Sequence, residues 1–167
     1  MNQNLFLSNI AEVQLSYSTK IRSADRAKIT CSKDAADIFR QIFPGLEHRE
    51  YFYTMLLNRG NKVLGYYEVS RGGISGTVVD VKLILQSALK TNASALVLAH
   101  NHPSNTLEAS DADMKITRKI KQACSFLDIS VLDHLILTTS TYLSMADNGL
   151  IWCHLPVLNY FLIQSNF

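Results

Sequence analysis

The sequence predicts an α/β fold, because helical and strand-like patterns alternate along its second half. Apolar residues recur at three- and four-residue spacing over residues 80–90 and again from Ile116 to Leu127, which is typical of helices with one buried face. Each helical segment is followed by a short apolar run, at residues 95–99 and 129–137. Because a helix between two strands is the usual crossover of a parallel pair, we expect a sheet flanked by helices.

The first half of the chain predicts shorter elements. Apolar and polar residues alternate near the N-terminus and predict an edge strand at Val13, Leu15 and Tyr17. A short helix is expected to run to Ile42, with Thr30 or Ser32 as its N-cap and Pro44-Gly45 as its end. These elements precede the main sheet.

A β-hairpin is predicted in the middle of the first half. Residues 49–57 are rich in aromatic and aliphatic side chains, and residues 63–69 form a second strand-like run. Asn58-Arg59-Gly60-Asn61 supplies the turn between them, and Gly72-Gly73 ends the second strand. The antiparallel hairpin and the parallel pair together predict a mixed central sheet.

Length and charge indicate a single globular domain. A chain of 167 residues can bury a core of its own. The net charge is only +2, and the densest basic group, Arg22, Arg26 and Lys28, is typical of a solvated face. DNA binding is therefore possible but unsupported. The sequence does not predict the oligomeric state.

Cysteine usage and the N-terminus indicate a cytoplasmic protein. The three cysteines are odd in number and show no C-x-x-C spacing, so neither a disulfide framework nor a cysteine-zinc site is expected at Cys31, Cys124 and Cys153. The N-terminus lacks the pattern of a signal peptide. No stretch approaches the roughly 20 apolar residues that span a bilayer, so no membrane association is expected.

A polar stretch from His100 to Asp113 joins the predicted strand at residues 95–99 to the following helix. Side chains alternate along an extended segment, so His100 and His102 point the same way. Asp113 lies three residues before Ile116, on the inward face of the helix. Two histidines and an aspartate are three of the four ligands of a catalytic zinc site, which leaves one position for water.

The same residues have a purely structural interpretation. Ser110 and Asp113 fit a helix capping box, in which the serine accepts from an early backbone N–H and the carboxylate reaches back. A capping box does not exclude a metal site, because Ser110 can cap the helix and still lie beside the ion. We favour the metal site, since the His-x-His pair stands at a strand-to-helix junction.

The motif resembles that of the JAMM metalloprotease family. The pattern is His100-x-His102, seven residues, then Ser110-x-x-Asp113. The sequence more closely resembles RadC-like JAB-domain proteins. Three segments carry this resemblance: His100-Asn101-His102-Pro103-Ser104, Leu132-Asp133-His134 and Tyr142-Leu143-Ser144. The resemblance implies a single JAB/MPN domain, with a deaminase-like fold, over 32–151. Residues 1–31 would then be an edge strand and lead-in, and 152–167 an apolar tail that either forms a closing helix or covers a partner surface.

The sequence departs from the family pattern at three places. The family usually has glycine at Asn105, proline at Ala109, and His-Pro where Asp80-Val81 open a helix. These changes are expected to alter loop stiffness rather than metal ligation.

The resemblance also implies a reaction, in which water bound to Zn²⁺ cleaves an amide bond in a peptide or isopeptide. Hydrolysis needs a carboxylate to carry protons, and spacing alone does not choose among Glu47, Glu50, Glu68 and Glu108. The family carries this glutamate eight residues before an asparagine, which fits Glu50 and Asn58; Glu68 is the reserve. Ser110 would donate to the developing oxyanion.

Two questions stay open from the sequence. The alternative function is a non-catalytic, metal-retaining module that assists DNA repair or processing or binds protein. Asp133 and His134 are expected to be buried in a strand. They either orient a metal ligand or form a buried hydrogen-bonded pair, and we favour the pair.

Overall fold

The structure is a computed structural model that describes residues 16–73 and 77–151. Its sheet has five strands: β1 (Tyr51–Leu57), β2 (Val63–Arg71), β3 (Ala95–Asn101), β4 (Ser130–Leu137) and β5 (Tyr142–Ser144). Its α-helices in the described ranges are α1 (Ser32–Ile42), α2 (Val81–Lys90) and α3 (Asp111–Ser125). The alternation of helices and strands confirms the predicted α/β class.

The sheet is mixed, with strand order β2-β1-β3-β4-β5. β1 is antiparallel to both β2 and β3, so β2 and β3 run in the same direction on either side of it. β3 and β4 are parallel, and β5 adds an antiparallel edge. Helices α2 and α3 are therefore the crossovers of two parallel connections, as the sequence predicted.

Helices cover both faces of the sheet. On one face, α1 packs Ala35, Ala36 and Phe39 against alternate residues of β1 and β3. On the other face, α2 and α3 pack through Ile84, Ala88, Ile120 and Cys124. The two apolar clusters make a three-layer domain, and the end of β3 opens on the α2/α3 side.

The helix ends differ slightly from the prediction. The N-cap of α1 is Cys31 rather than Thr30 or Ser32. Asp34, in the first turn of α1, forms the reciprocal half of a capping box, because its carboxylate accepts hydrogen bonds from the Thr30 and Cys31 backbone N–H groups. Asp80, which stands where the family usually has histidine, caps α2 by accepting from the Lys82 backbone N–H.

The predicted strand at Val13 and Leu15 lies outside the described residues, and Tyr17 belongs to no strand. The described part of the lead-in has a short 3₁₀ turn and one bridge between Lys28 and Lys62. The predicted tail at 152–167 also lies outside the described residues. Within the ranges described above, no helix combines the length and apolar character needed to cross a bilayer.

Candidate metal centre

The His-x-His pair lies where β3 ends. His100 is within β3 and is 2% exposed, and His102 follows one residue after the strand. The backbone of His102 is held by a hydrogen bond from its N–H to the Leu137 carbonyl of β4, at 2.9 Å. This bond continues the β3–β4 pairing, so the extended geometry persists through His102 and both imidazoles face the same side.

Asp113 approaches the same point from the first turn of α3. Its Oδ1 lies 3.2 Å from His100 Nε2, and its Oδ2 lies 3.6 Å from His102 Nε2. The two Nε2 atoms are themselves 2.9 Å apart. The three predicted ligands therefore come together, and their donor atoms form a compact triangle that could hold a metal ion.

The other nitrogen of each ring has a partner. His102 Nδ1 lies 2.8 Å from the Thr106 carbonyl oxygen, which can only accept, so this nitrogen must carry a proton. His100 Nδ1 lies 2.8 Å from Nε2 of His134. If both Nδ1 atoms donate, both Nε2 atoms direct lone pairs at one point. Such an arrangement needs either a shared proton or a cation between them.

The electrostatics of the triangle agree with this requirement. Burial acts to raise the pKa of Asp113, but its close contacts with the imidazoles of His100 and His102 and the hydrogen bond from Ser110 outweigh burial and hold that pKa well below its usual range. The pKa of His102 is raised, chiefly by the Asp113 carboxylate beside its ring. In the absence of metal, the raised pKa of His102 favours a proton on its imidazole, and the lowered pKa of Asp113 favours an ionised carboxylate beside it.

Ser110 forms the capping box that the sequence predicted. Its Oγ accepts from the Asp113 backbone N–H at 3.1 Å and donates to Asp113 Oδ2 at 2.6 Å. The Asp113 carboxylate in turn accepts from the Ser110 backbone N–H at 2.8 Å. The cap fixes the rotamer of Asp113, so one local motif both starts the helix and positions a ligand.

The triangle forms one wall of a cavity of about 620 Å³. Its remaining lining combines apolar side chains of the sheet and helices with polar groups of the loop before α3. Two carboxylates besides Asp113 face it, Glu50 and Glu108. The cavity is large enough for several residues of an extended chain or another ligand of that size.

Glu50 reaches the cavity through the pairing of β1 with β3. Phe52 pairs with His100 in an antiparallel register, and continuing that register by two residues places Glu50 opposite His102. The Glu50 backbone is fixed by hydrogen bonds to Gly72 and Gly73, at 2.8 and 3.0 Å. The glycine turn predicted at the end of β2 thus anchors this glutamate.

The other candidate glutamates are placed differently. Glu68, the reserve for the proton carrier, accepts a hydrogen bond from the Tyr53 hydroxyl and pairs with Arg71 at 3.0 Å. The hydrogen bond from Arg71 is the main reason that the pKa of Glu68 is lowered. Neither Glu68 nor Glu47 is among the residues that line the cavity.

Asn101 has a structural role that the sequence analysis did not predict. Its side chain points away from the triangle, and its Oδ1 accepts from the Tyr51 backbone N–H at 2.8 Å. Its Nδ2 donates to the Leu46 and Arg49 carbonyls, at 2.9 and 2.8 Å. Asn101 therefore ties the loop that carries Glu50 to β3. In the sequence, the one feature that could have indicated this role is that an asparagine stands between His100 and His102 and should face the opposite side of the strand, where its polar side chain needs partners.

Asp133 and His134 are both buried, as expected, but their side chains do not pair with each other. Asp133 accepts from the Ser144 hydroxyl at 2.6 Å and from the Ala146 backbone N–H at 2.9 Å, which joins β4 to β5 and the turn after it. The His134 imidazole instead contacts His100. The favoured interpretation as a hydrogen-bonded pair is therefore wrong for the His134 side chain.

Asn105 occupies a backbone conformation that explains the glycine usual in the family. Its φ is 60°, in the left-handed region that glycine and asparagine tolerate best. The Asn105 Oδ1 accepts from the backbone N–H and the hydroxyl of Thr139, at 3.1 and 2.9 Å. This loop is thereby connected to the β4–β5 turn.

The fold and the site together define an α/β domain with a His-x-His and aspartate cluster that could hold a metal ion. The chain belongs to the RadC-like JAB domain family, whose family model matches residues 29–150. This match confirms the resemblance drawn from the histidine motif, and the five-stranded mixed sheet with its flanking helices is consistent with a single JAB domain.

Proteins of several bacteria are similar to most of this chain. The chain is 48% identical over 123 residues to a UPF0758 protein of Flavobacterium johnsoniae, covering 74% of this chain and 53% of that protein. It is 36% identical over 127 residues to a UPF0758 protein of Salinibacter ruber, covering 76% and 54%. A UPF0758 protein of Porphyromonas gingivalis is 36% identical over 137 residues, covering 80% and 60%. The chain thus spans little more than half the length of these relatives.

Proposed function

We propose that this chain is a zinc-dependent hydrolase that cleaves an amide bond in a peptide or isopeptide. The proposal depends on one observation, the convergence of two Nε2 atoms and one carboxylate at separations of 2.9, 3.2 and 3.6 Å. Two ligands of one tetrahedral zinc ion are expected about 3.3 Å apart, given bond lengths of about 2.0–2.1 Å. The two histidine nitrogens and the Asp113 oxygen nearest each of them lie close to that spacing, although Oδ1 is nearest His100 and Oδ2 is nearest His102.

The donor set favours zinc over harder cations. Imidazole nitrogen suits zinc, whereas calcium and magnesium prefer oxygen ligands alone. Three protein ligands leave one coordination position free, which is the arrangement of catalytic rather than structural zinc sites. When bound, the ion would supply Lewis acidity and lower the pKa of a coordinated water from about 15.7 to about 7.

Glu50 is proposed to carry the proton. It lines the same cavity as His102, and the hydrogen bonds of its backbone to Gly72 and Gly73 fix its place in the chain. A carboxylate in this place can accept a proton from the attacking water and return it to the leaving amine. Glu108 lines the same cavity but comes from the loop before α3, whereas Glu50 directly precedes β1.

Ser110 is proposed to donate to the oxyanion. Its hydroxyl already faces the Asp113 carboxylate, to which it donates, so donation to a substrate requires the hydroxyl to rotate. Its position as the N-cap of α3 also brings the first backbone N–H groups of that helix near the cavity. Both features stabilise negative charge that develops on a carbonyl oxygen.

Two matched variants test the proposal. We expect the zinc-loaded wild type to cleave a library of quenched fluorescent peptides or isopeptide-linked peptides. Glu50→Gln should retain zinc and lose about 10²–10⁴-fold in rate, the usual contribution of general acid–base catalysis. Glu68→Gln is the control, because Glu68 is held by Tyr53 and Arg71 outside the cavity. It should retain the wild-type rate.

The same experiment distinguishes the alternative function. Zinc binding without any cleavage, or cleavage that Glu50→Gln leaves intact, would contradict the proposed hydrolase. Binding of DNA that weakens with added salt, without cleavage of peptides, would instead support an accessory role in DNA processing. A zinc content below about a tenth of an ion per chain would contradict both functions, because the hydrolase and the accessory module are each expected to retain the metal.

A further inference from the structure

The side chain of His134 is fully buried between two polar partners. Its Nε2 lies 2.8 Å from His100 Nδ1, and its Nδ1 lies 2.6 Å from the Thr117 hydroxyl. His134 is 0% exposed and Thr117 is 3% exposed. Phe52 packs edge-on against the His134 ring, with centroids 5.3 Å apart, and stacks on His100 at 6.0 Å. The imidazole is therefore held in one place.

The direction of these hydrogen bonds follows from the last member of the series. Thr117 Oγ1 lies 2.6 Å from the Asp113 backbone carbonyl, which can only accept, so the hydroxyl proton is used there. Its other strong contact is to His134 Nδ1, because the Met145 sulfur is 3.8 Å away. The Thr117 oxygen must accept from His134, which places a proton on His134 Nδ1.

The tautomer of His100 then follows. A neutral His134 that carries its proton on Nδ1 has a lone pair on Nε2, so it accepts from His100 Nδ1. His100 must carry its own proton on Nδ1, and its Nε2 is left with a lone pair directed at Asp113 and His102. This is the tautomer that a metal ion requires from His100.

The two histidines of the triangle thus obtain the same tautomer by different means. His102 donates to the Thr106 backbone carbonyl, an acceptor that cannot reverse its role. His100 donates to another imidazole, which could act as donor or acceptor. Thr117 removes that ambiguity, and its hydroxyl is tied to the backbone of Asp113, the third residue of the triangle.

We propose that His134, fixed by Thr117, is a positioning residue that sets the tautomer and ring orientation of His100 for metal binding. The part that concerns metal rests on the function proposed above. The part that concerns the tautomer does not, because the hydrogen-bond series requires no ion. Asp133, the neighbour of His134 in sequence, has no part in the series, since its carboxylate holds Ser144 and Ala146.

The test uses a nearly isosteric pair of variants at Thr117. Thr117→Val removes the acceptor of His134 Nδ1, so the ring can carry its proton on Nε2 and donate to His100. His100 would then hold its proton on Nε2, where it blocks metal. Thr117→Ser keeps the hydroxyl and serves as the matched rescue. Both changes spare the His134 ring, whose removal would leave a buried hole.

The first measurement is the tautomer of His100 in metal-free protein at about pH 8, from ¹H–¹⁵N correlations of labelled imidazoles. The chain has five histidines, so the spectrum is simple to assign. We expect the Nδ1–H form in the wild type and in Thr117→Ser, and a shift towards the Nε2–H form in Thr117→Val. A Thr117→Val spectrum with His100 still wholly in the Nδ1–H form would overturn the proposal.

The second measurement is zinc affinity by competition with a chromophoric chelator. Thr117→Val should bind about 10–100-fold more weakly than the wild type, as is typical when the partner of a metal-ligating histidine is lost. Thr117→Ser should remain within about threefold of the wild type. Equal affinity of all three proteins would contradict the positioning role. A wild type that binds no zinc contradicts the proposed hydrolase alone, because the tautomer measurement still decides the role of His134.

Discussion

Asp113 Oδ2 lies 3.6 Å from His102 Nε2, and the contact between this carboxylate and the ring is the largest cause of the raised pKa of His102. The raised pKa of His102 and the lowered pKa of Asp113 favour an ion pair in the metal-free site, with a proton where a metal ion would bind. Binding of a metal must displace that proton, which makes the affinity of the site depend on pH. The Asp113 carboxylate has no proton to release when the metal binds, because its pKa is held well below the usual range.

The first prediction concerns this pH dependence. Below the raised pKa of His102, each zinc ion that binds should release one proton, so the dissociation constant should fall about tenfold for each unit of rising pH. Above that pKa the affinity should become constant. Calorimetry in buffers with different heats of ionisation counts the protons released. A count near zero at pH 6 would show that His102 is not protonated there.

The second prediction concerns the stability of the metal-free protein. At pH values above 3.8, the ordinary pKa of an aspartate side chain, the lowered pKa of Asp113 stabilises the fold. This stabilisation is lost as the pH falls through the lowered pKa. At pH values below 6.5, the ordinary pKa of a histidine side chain, the raised pKa of His102 stabilises the fold. This stabilisation is lost as the pH rises through the raised pKa. The ion pair should therefore contribute most between about pH 4 and pH 6.5.

Urea denaturation of Asp113→Asn across this range measures the contribution. The variant should lose most free energy of unfolding relative to the wild type near pH 5, and less at pH 8. Asp111→Asn is the control, because Asp111 is exposed at the start of the same helix. A loss for Asp113→Asn that is equal at pH 5 and pH 8 would contradict the ion-pair account.

The third prediction concerns Asn101. Asn101→Ala leaves the Tyr51 N–H and the Leu46 and Arg49 carbonyls without their side-chain partner, so we expect a loss of about 3 kcal/mol or more in the free energy of unfolding. Asn148→Ala is the control, because the exposed Asn148 amide makes one bond, to the Ser144 carbonyl. It should cost less than about 1 kcal/mol.

Activity adds a second readout for Asn101. Asn101 holds the loop that leads into Glu50, so Asn101→Ala should lower the rate of cleavage, as Glu50→Gln does. The zinc content of the variant should stay unchanged. Wild-type stability and wild-type rate together in Asn101→Ala would show that the three hydrogen bonds do not hold the loop.

The fourth prediction concerns Asn105 and separates backbone conformation from side-chain bonding. Asn105→Gly keeps access to a φ of 60° but loses the bonds to Thr139, so it should destabilise by about 1 kcal/mol. Asn105→Ala loses the same bonds and also strains the backbone, which adds roughly 1 kcal/mol. Thermal denaturation should rank the wild type, then glycine, then alanine. Alanine above glycine would contradict the conformational explanation.

The metal triangle could be predicted from the sequence because its geometry is local. His100, His102 and Asp113 lie within fourteen consecutive residues, so one strand end and one helix start are enough to bring them together. Strand alternation gives the direction of the histidines, and the capping box gives the position of the carboxylate. No long-range pairing has to be known.

The residues around the triangle depend on long-range pairing, and the sequence analysis left them open. Glu50 is brought to the cavity by the register of β1 against β3. This register pairs residues that are far apart in the sequence, and it could not be predicted from the sequence alone. Four glutamates therefore stood as equal candidates, and only the family resemblance preferred one. The three contacts of Asn101 likewise reach across about fifty residues of chain.

Neighbouring residues of a strand face opposite sides, which explains why the side chains of Asp133 and His134 do not pair, and a bulge decides which of the two faces His100. Between the pairs Leu96–Val131 and Val97–Asp133, strand β4 has one extra residue, Leu132. Because side chains alternate along a strand, one extra residue reverses the faces of all that follow. His134 therefore faces His100, and Asp133 faces the opposite side. A regular alternation counted from Val131 would have assigned them the other way.

The most direct test of the central claim is the zinc content of the purified chain after loading and removal of excess metal. We expect close to one zinc per chain for the wild type and for Asp111→Ala, whose carboxylate lies outside the triangle. Asp113→Ala should hold less than about a tenth, because one of the three protein ligands is gone. A wild type that retains no zinc, or an Asp113→Ala variant that retains as much as the wild type, would contradict the account.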